Sequence, residues 1–164
     1  MKQYITLQLF KSFEKVNFYT FKFEDSEQTE TDKFFSKFEG NEFMIESVYN
    51  LTQSLIEIGQ IEGAKLSFFR LESSAQALPP PISIWAGGIR NNLRLYCVRV
   101  NKEIVILGNG GIKSSQKAQD SAELMPYFRF INSMSKQITE LIKDGDFIFQ
   151  GKNILNLNEI ELIY

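Results

Sequence analysis

Apolar and polar residues alternate near the start of the chain, which is the pattern of a half-buried β-strand. Residues 3–10 alternate and 16–24 are rich in β-forming side chains, while 12–15 can turn between them. The sequence therefore predicts an N-terminal hairpin. An acidic, polar stretch, 24–32, then leads into a short helix that we expect to end at Gly40, because glycine adopts the left-handed conformation of a helix cap easily.

Two longer stretches repeat apolar residues at helical steps of three and four. The first spans about 42–59 and is expected to end at Gly59. The second starts near 122–126, because Pro126 fits only in the first turn of a helix, and ends at Gly145. The apolar stripes are Met44, Val48, Leu51, Leu55 and Ile58 in the first helix, and Leu124, Phe128, Ile131, Ile138 and Leu141 in the second.

Between the two helices the pattern is that of a β-hairpin. Residues 93–100 and 103–107 are β-prone and flank Asn101 and Lys102, a plausible two-residue turn. The Gly-Asn-Gly-Gly run at 108–111 follows, and its glycines make the backbone permissive for positive φ.

The end of the chain predicts one more hairpin, formed by 147–149 and 154–164. No stretch rich in glycine or serine divides the chain, and 164 residues suit one domain, so we expect a single domain over 1–164. Strands and helices in this order favour an α+β domain in which helices pack on an antiparallel sheet.

Charge is distributed unevenly along the chain. The net charge of −2 argues against a protein that coats nucleic acid. Between residues 79 and 120, however, six basic residues face two acidic ones, a net charge of +4, which leaves −6 for the rest. Such polarity can focus a positive potential on one surface, although solvated charges alone can also produce it.

Cysteine and histidine usage excludes several classes of site. Cys97 is the only cysteine and the chain has no histidine, which excludes an intrachain disulfide, a Ser-His-Asp triad and most zinc sites. We predict no metal and no cofactor. The N-terminus lacks an apolar signal core, and no apolar run approaches the length of a membrane helix, so we expect a cytoplasmic protein with no membrane partner.

Basic and aromatic residues gather around the predicted strand 93–100. Alternation places Arg94 and Tyr96 on one face and apolar residues on the other, so we expect Arg94 and Tyr96 to point toward a groove or solvent. Arg90 precedes the strand, and Lys113 and Lys117 follow its partner. A hairpin brings these regions together at its open end, where arginine and lysine suit a phosphate.

The same segment resembles a known family. Leu-Arg-Leu-Tyr at 93–96, an apolar strand with Gly-Asn-Gly at 104–110, and Ile-Lys-Ser-Ser-Gln-Lys at 112–117 are similar to the HigB branch of the RelE/ParE toxin superfamily. The resemblance covers about 85–135, and the order of elements agrees with that fold. It implies a RelE-like core that carries extra N- and C-terminal hairpins.

The resemblance also implies a function. HigB-like toxins are ribosome-associated endoribonucleases that cut messenger RNA in a toxin–antitoxin system, and the 2′-hydroxyl of the RNA attacks its own phosphate. Partners would be a cognate antitoxin protein, the ribosome and messenger RNA, with no direct role for DNA. The implied catalytic residues are Arg94, Lys113, Lys117 and Tyr96, and the implied RNA contacts are Arg90 and Lys102.

Two other functions stay open. The first is a catalytically silent protein-binding module on the same fold, either ParE-like or an accessory protein of a phage or mobile element. Ser114 supports it, because HigB-like members commonly carry a lysine there, and Asn109 and Gly110 replace their usual histidine-glycine pair. The second is an unrelated small-molecule protein, which an apolar pocket remote from Arg94 would favour.

Overall fold

Groups of strands and groups of helices follow one another along the chain in a mixed α+β fold. The computed structural model describes residues 1–81, 92–114, 117 and 121–164. Within them the strands are β1 (Tyr4–Ser12), β2 (Asn17–Phe23), β3 (Arg70–Glu72), β4 (Ala75–Leu78), β5 (Leu93–Arg99), β6 (Ile104–Ile112), β7 (Phe149–Gln150), β8 (Asn153–Ile154) and β9 (Leu162–Ile163). The α-helices are α1 (Glu30–Lys37), α2 (Ile45–Glu57) and α3 (Met125–Asp144).

Seven strands form one sheet in the order β3-β4-β5-β6-β2-β1-β9, and β7 pairs with β8 in a separate ribbon. Neighbours in the large sheet are antiparallel, except that β2 runs parallel to β6. The predicted α+β fold with helices packed on an antiparallel sheet is confirmed, and among the described strands β2 and β6 are the one parallel pair. The two strands are joined through α1, α2 and the β3–β5 meander, and such a long crossover permits parallel pairing.

The large sheet is covered on both faces. On one face α3 buries Phe130, Ile131, Met134 and Ile138 against the sheet. On the other, α1 and α2 bury a second set that includes Phe34, Phe38, Leu51 and Leu55. Because neither face of the central strands meets solvent, the six consecutive residues from Leu93 to Val98 in β5 are all buried.

The N-terminal hairpin is confirmed as β1 and β2, but it is not appended to the core. Its second strand lies in the middle of the large sheet between β6 and β1. The predicted C-terminal hairpin is confirmed only around its turn, where Gly151 has a φ of +57° between β7 and β8. The chain then returns to the large sheet, and β9 pairs with β1.

The helix boundaries follow local signals with two exceptions. Gly145 (φ +79°) caps α3 as predicted, whereas α1 ends at Lys37 with Phe38 as its cap, so Gly40 (φ +72°) lies in the turn beyond the helix. Gly59 does not end the first long helix, since a π-helical turn, Ile58–Glu62, extends it to Gly63. Gly59 lies instead against the ring of Phe13, which leaves no room for a Cβ. Among the described helices, even the 20-residue α3 lacks the apolar stretch needed to cross a bilayer.

Helix α1 covers a stretch of β6 that β2 leaves unpaired. The parallel pairing ends at Leu107, although β6 continues to Ile112. Beyond that point the hydroxyl of Thr31 donates to the carbonyl of Gly108 at 3.0 Å, and Lys37 Nζ donates to the carbonyl of Gly110 at 2.6 Å. Side chains of α1 therefore replace a neighbouring strand as hydrogen-bond donors.

Candidate active site

Glu72 in β3, Arg94 in β5 and Lys113 directly after β6 interact electrostatically on the face of the sheet that α3 covers. We call the group of Glu72, Arg94, Tyr96 and Lys113 the sheet-end cluster. Arg94 pairs with Gly111 across the β5–β6 hairpin, and the backbone of Lys113 extends this pairing by donating to the carbonyl of Asn92 at 2.7 Å. The β5–β6 hairpin therefore places the backbones of Arg94 and Lys113 near its open end.

Small residues in β4 allow side chains of β3 and β5 to approach each other across it. Arg70, Ala77 and Tyr96 lie in register on three neighbouring strands, and Glu72 lies opposite Ala75. Side chains paired in this way share one face of a sheet, and adjacent strands are about 4.8 Å apart. Because Ala75 and Ala77 carry only methyl groups, the longer side chains of β3 and β5 can approach each other above them.

Arg94 and Tyr96 do not point to solvent, so the prediction of an open basic face on β5 is wrong. Arg94 is 6% exposed and Tyr96 is fully buried. An Arg94 guanidinium nitrogen donates to the carbonyl of Leu93 at 2.8 Å, and the Tyr96 ring makes an edge-to-face contact with Phe128 at 6.2 Å. The sequence pattern distinguished the two faces correctly, but α3 covers the second one.

The hydroxyl of Tyr96 is buried and has no hydrogen-bond partner among the described residues. Burial raises the pKa of Tyr96 well above its ordinary value, the negative charge of Glu72 raises it further, and Arg94 opposes the shift. An unsatisfied buried hydroxyl costs about 1–3 kcal/mol. Groups of this kind in native structures call for an explanation, and sites of function are one of them.

Glu72 is the acidic member of the cluster, and it was not among the site residues predicted from the sequence. Burial raises the pKa of its carboxyl group above the ordinary value, while the positive charges of Arg94, Lys113 and Arg70 oppose that shift. The carboxylate is therefore within electrostatic reach of all three cations. The Arg-Leu-Glu sequence at 70–72 was a usable signal, because a strand there places Arg70 and Glu72 on one face.

The other predicted site residues lie outside the cluster or outside the described residues. Lys117 is exposed, and Arg90 is not among the residues that the structure describes. Lys102 lies in the turn at the opposite end of the hairpin, beyond Arg99, which is itself about 17 Å from Arg94 at 3.3 Å per strand residue. There it lines a cleft of about 690 Å³ with Glu14, Glu62 and Glu103. The structure thus separates Lys102 from Arg94 and Lys113.

The chemistry of the described residues is that of acids, bases and fixed charges. Among them, no group of three histidine, cysteine, aspartate or glutamate side chains is placed to hold a metal ion. Cys97 is fully buried on the opposite face of β5 from Tyr96, and burial raises the pKa of its thiol far above the ordinary value. A thiol in this state is a poor nucleophile.

A second candidate site lies on the other face of the sheet, remote from Arg94. It is an apolar cavity of about 660 Å³ between β1, β2, α1 and α2. Its lining residues are Phe10, Lys11, Phe13, Phe18, Phe35, Thr52, Leu55, Ile56, Gln60 and Leu107.

Comparison of the chain with protein-family models, with curated proteins and with solved structures finds no match in any of the three groups.

Proposed function

We propose that this chain is a RelE/HigB-like toxin that cuts messenger RNA on the ribosome without a metal ion. The sheet-end cluster carries the proposal, because in it a partly buried carboxyl group (Glu72) interacts electrostatically with two cations (Arg94 and Lys113). RNA cleavage by its own 2′-hydroxyl needs a base, an acid and positive charge near the phosphate. The chain order, two helices followed by an antiparallel meander and a third helix, supports the proposal.

Glu72 and Lys113 supply the proton transfers of this reaction. The Glu72 carboxylate accepts the proton of the 2′-hydroxyl as that oxygen forms a bond to phosphorus. The bond between phosphorus and the 5′-oxygen then breaks, and the Lys113 ammonium donates a proton to the leaving oxygen. The products are a 2′,3′-cyclic phosphate and a free 5′-hydroxyl, so atoms and charges balance without a cofactor.

Arg94 and Tyr96 assist the reacting groups from buried positions in β5. Arg94 is nearly buried, so its charge is screened weakly and stabilises both the Glu72 carboxylate and the negative charge that grows on the phosphate. A fully buried ring cannot stack on a base, so Tyr96 is a positioning residue that supports its neighbours. Lys117 is exposed and extends the positive charge along the path of the RNA.

The partners follow from this activity. A protein that degrades translated message would act on the ribosome and its messenger RNA, and a cognate antitoxin protein would have to neutralise it in the cell. Covering Lys113 and Lys117 would suffice for neutralisation, because these cations are partly or fully exposed.

A cell-free translation assay tests the proposal through ribosome-bound message and its fragments. We expect the protein to cut the message and the substitutions Glu72→Gln and Lys113→Met each to lower the rate by about 10²–10⁴. Lys136→Met, which removes an exposed lysine from α3, is the control and should leave the rate unchanged. Intact message at a high concentration of folded protein would refute the proposal. Arg94 is unsuitable as the first target, because replacing a buried cation can unfold the chain.

A catalytically silent protein-binding module is the second candidate, and the burial of Arg94 and Tyr96 favours it. Such a module would retain a protein partner in a pull-down while added RNA and ribosome-bound message stay intact. The translation assay therefore separates the two candidates.

A further inference from the structure

Helix α2 is apolar on a face that does not pack on the sheet. Leu51 and Leu55 point into the core, as the helical spacing predicted. A second stripe, within an arc of about 60° at 100° per residue, consists of Ile45, Tyr49, Thr52 and Ile56. Ile45 is 63% exposed, Tyr49 61% and Ile56 38%. A surface helix normally carries polar residues there, and contiguous exposed apolar residues mark contact surfaces.

The exposed stripe leads into the apolar cavity. Thr52 and Ile56 form one wall of the cavity, and Phe10 and Phe35 contribute to the walls on the other side. The cavity volume of about 660 Å³ lies within the range of roughly 300–1,000 Å³ that binding pockets occupy. Stripe and cavity therefore form one continuous apolar surface, which is open to solvent along α2 and deep at its C-terminal half.

Acidic residues border this surface. The segment from Phe38 to Ala64 contains five glutamates and no lysine or arginine. Glu46 and Glu57 directly follow Ile45 and Ile56 in the helix, so they form a row beside the stripe. Neither one forms an ion pair with another residue that the structure describes. Of the described residues that line the cavity, one is charged, and this is Lys11, an exposed residue of β1.

We propose that the α2 surface, defined as Ile45, Tyr49, Thr52 and Ile56 with Glu46 and Glu57 beside them and the cavity at its end, binds a basic amphipathic segment of another protein. Apolar side chains of that segment lie along the stripe, and one uncharged side chain enters the cavity. Its lysines and arginines face Glu46 and Glu57, which fixes the direction of binding. Amphipathic helices bind apolar grooves in this manner.

Charge excludes the two simplest other occupants. In a symmetric dimer the same patch contacts itself, so two copies of this chain would bring the Glu46 and Glu57 rows together. An anionic membrane surface attracts basic segments and would repel these glutamates. A basic partner is the occupant whose charge complements the surface.

The α2 surface is independent of the proposed ribonuclease site. The sheet-end cluster lies on the face that α3 covers, and the α2 surface lies on the opposite face. A partner on α2 therefore does not cover the cluster, and either proposal can fail without the other.

Binding of synthetic peptides to the full chain tests this inference. The probes are three 14-residue amphipathic helices with one shared apolar face, whose polar flanks carry lysine, glutamate or glutamine. Fluorescence anisotropy at low salt should show the lysine peptide binding at least about tenfold more tightly than the glutamate peptide, because each surface charge pair contributes up to about 1 kcal/mol. Raising the salt concentration should reduce that difference.

Matched variants assign the binding to α2. Ile56→Ser and the pair Glu46→Lys with Glu57→Lys should each weaken the lysine peptide by about tenfold, and the charge-reversed pair should favour the glutamate peptide. Ile142→Ser removes an α3 residue with nearly the same exposure, 39% against 38%, and the pair Glu140→Lys with Asp144→Lys makes the same change of charge on α3. Neither α3 control should change the affinity.

Each remaining outcome contradicts the inference. Equal affinity for the three peptides would show that charge does not select the partner, and no binding of any peptide at high micromolar concentration would show that the surface is not a docking site. Equal loss in the α2 and α3 variants would place binding elsewhere. Dimerisation that Ile56→Ser abolishes would assign the surface to a second copy, and binding to anionic vesicles would assign it to lipid.

Discussion

Asn132, in the middle of α3, accepts a hydrogen bond through its Oδ1 from the backbone N–H of Ser74 at 2.8 Å. The same oxygen accepts from the Ser74 hydroxyl at 2.9 Å and from the N–H of Ala75 at 3.0 Å. Ser74 lies in the turn between β3 and β4, two residues after Glu72. One side chain of α3 therefore fixes the turn that positions the carboxyl group of the sheet-end cluster.

Replacing Asn132 by alanine should destabilise the protein. The substitution leaves the N–H groups of Ser74 and Ala75 without their acceptor, and an unsatisfied buried donor costs about 1–3 kcal/mol. We expect the free energy of unfolding to fall by about 2–4 kcal/mol in chemical denaturation. Thr139→Ala on the same helix removes only a bond to the carbonyl of Ser135 and should change it by less than about 0.5 kcal/mol. Equal effects would show that the contact between α3 and the turn contributes little.

Lys37 should stabilise the half of β6 that β2 leaves unpaired. Its ammonium group donates to the carbonyl of Gly110 at 2.6 Å and to the Tyr127 hydroxyl at 3.1 Å, and it lies 4.3 Å from the centre of the Tyr127 ring. Lys37→Met should lower the free energy of unfolding by about 1 kcal/mol, a value typical of a partly exposed charged hydrogen bond. Lys65→Met removes an exposed i,i+3 pair with Glu62 and should cost less than about 0.5 kcal/mol. A larger effect at Lys65 than at Lys37 would contradict this prediction.

Elements whose signals are local could be predicted from the sequence. The N-terminal hairpin, the three α-helices and the left-handed end of α3 at Gly145 follow from spacing and from glycine, both of which act over a few residues. Alternation in β5 also sorted its residues correctly between two faces. The local pattern therefore specified which residues of β5 share a face. It did not specify which element packs on each face.

Features that depend on distant parts of the chain could not be predicted in the same way. The parallel pairing of β2 with β6 joins segments about 87 residues apart, and no local pattern specifies it. The burial of Arg94 depends on α3. The electrostatic interaction of Glu72 with that arginine depends on the short strands β3 and β4. Each requires the complete fold before the contact exists.

Gly110 is required for close packing of two strands, not for the positive φ that the sequence suggested. The run 108–111 belongs to β6, and none of its glycines has a positive φ. A Cβ on Gly110 would collide with the backbone carbonyl of Arg94, whereas one on Gly108 would meet Ile131 Cδ1 at 3.1 Å and the carbonyl of Tyr96 at 3.2 Å. Close approach of β5 and β6 therefore requires glycine at 110.

Alanine substitutions should separate these two positions. Gly110→Ala has to displace backbone and should cost more than about 3 kcal/mol of unfolding free energy, the upper end for overpacking. Gly108→Ala has tight contacts that include the end of a flexible side chain, so we expect about 1–2 kcal/mol. Thermal denaturation of both variants provides the comparison. Similar melting temperatures for the two would show that β5 and β6 can separate at little cost.

Glu72 should make the protein less stable as the pH rises. Its folded-state pKa is raised, so on raising the pH the unfolded chain releases the proton first, and the folded state binds more protons in the window above about pH 4.3. Stability attributable to this group is therefore present at lower pH and lost as the pH passes through the folded pKa. Glu72→Gln, which cannot ionise, should gain stability relative to the parent chain from pH 4 to pH 8. A constant difference across that range would mean that Glu72 titrates normally.

The pH dependence of message cleavage should identify the base and the acid. Glu72 must be ionised to accept a proton, so the rate should rise with pH through its raised pKa and then become level. Lys113 must be protonated to donate, so the rate should fall at higher pH as the ammonium group loses its proton. Glu72→Gln should remove the rising limb, and Lys113→Met the falling limb, from the residual activity. Because a merely structural role lowers the rate at every pH alike, parallel profiles for the parent and both variants would exclude this assignment of the proton transfers.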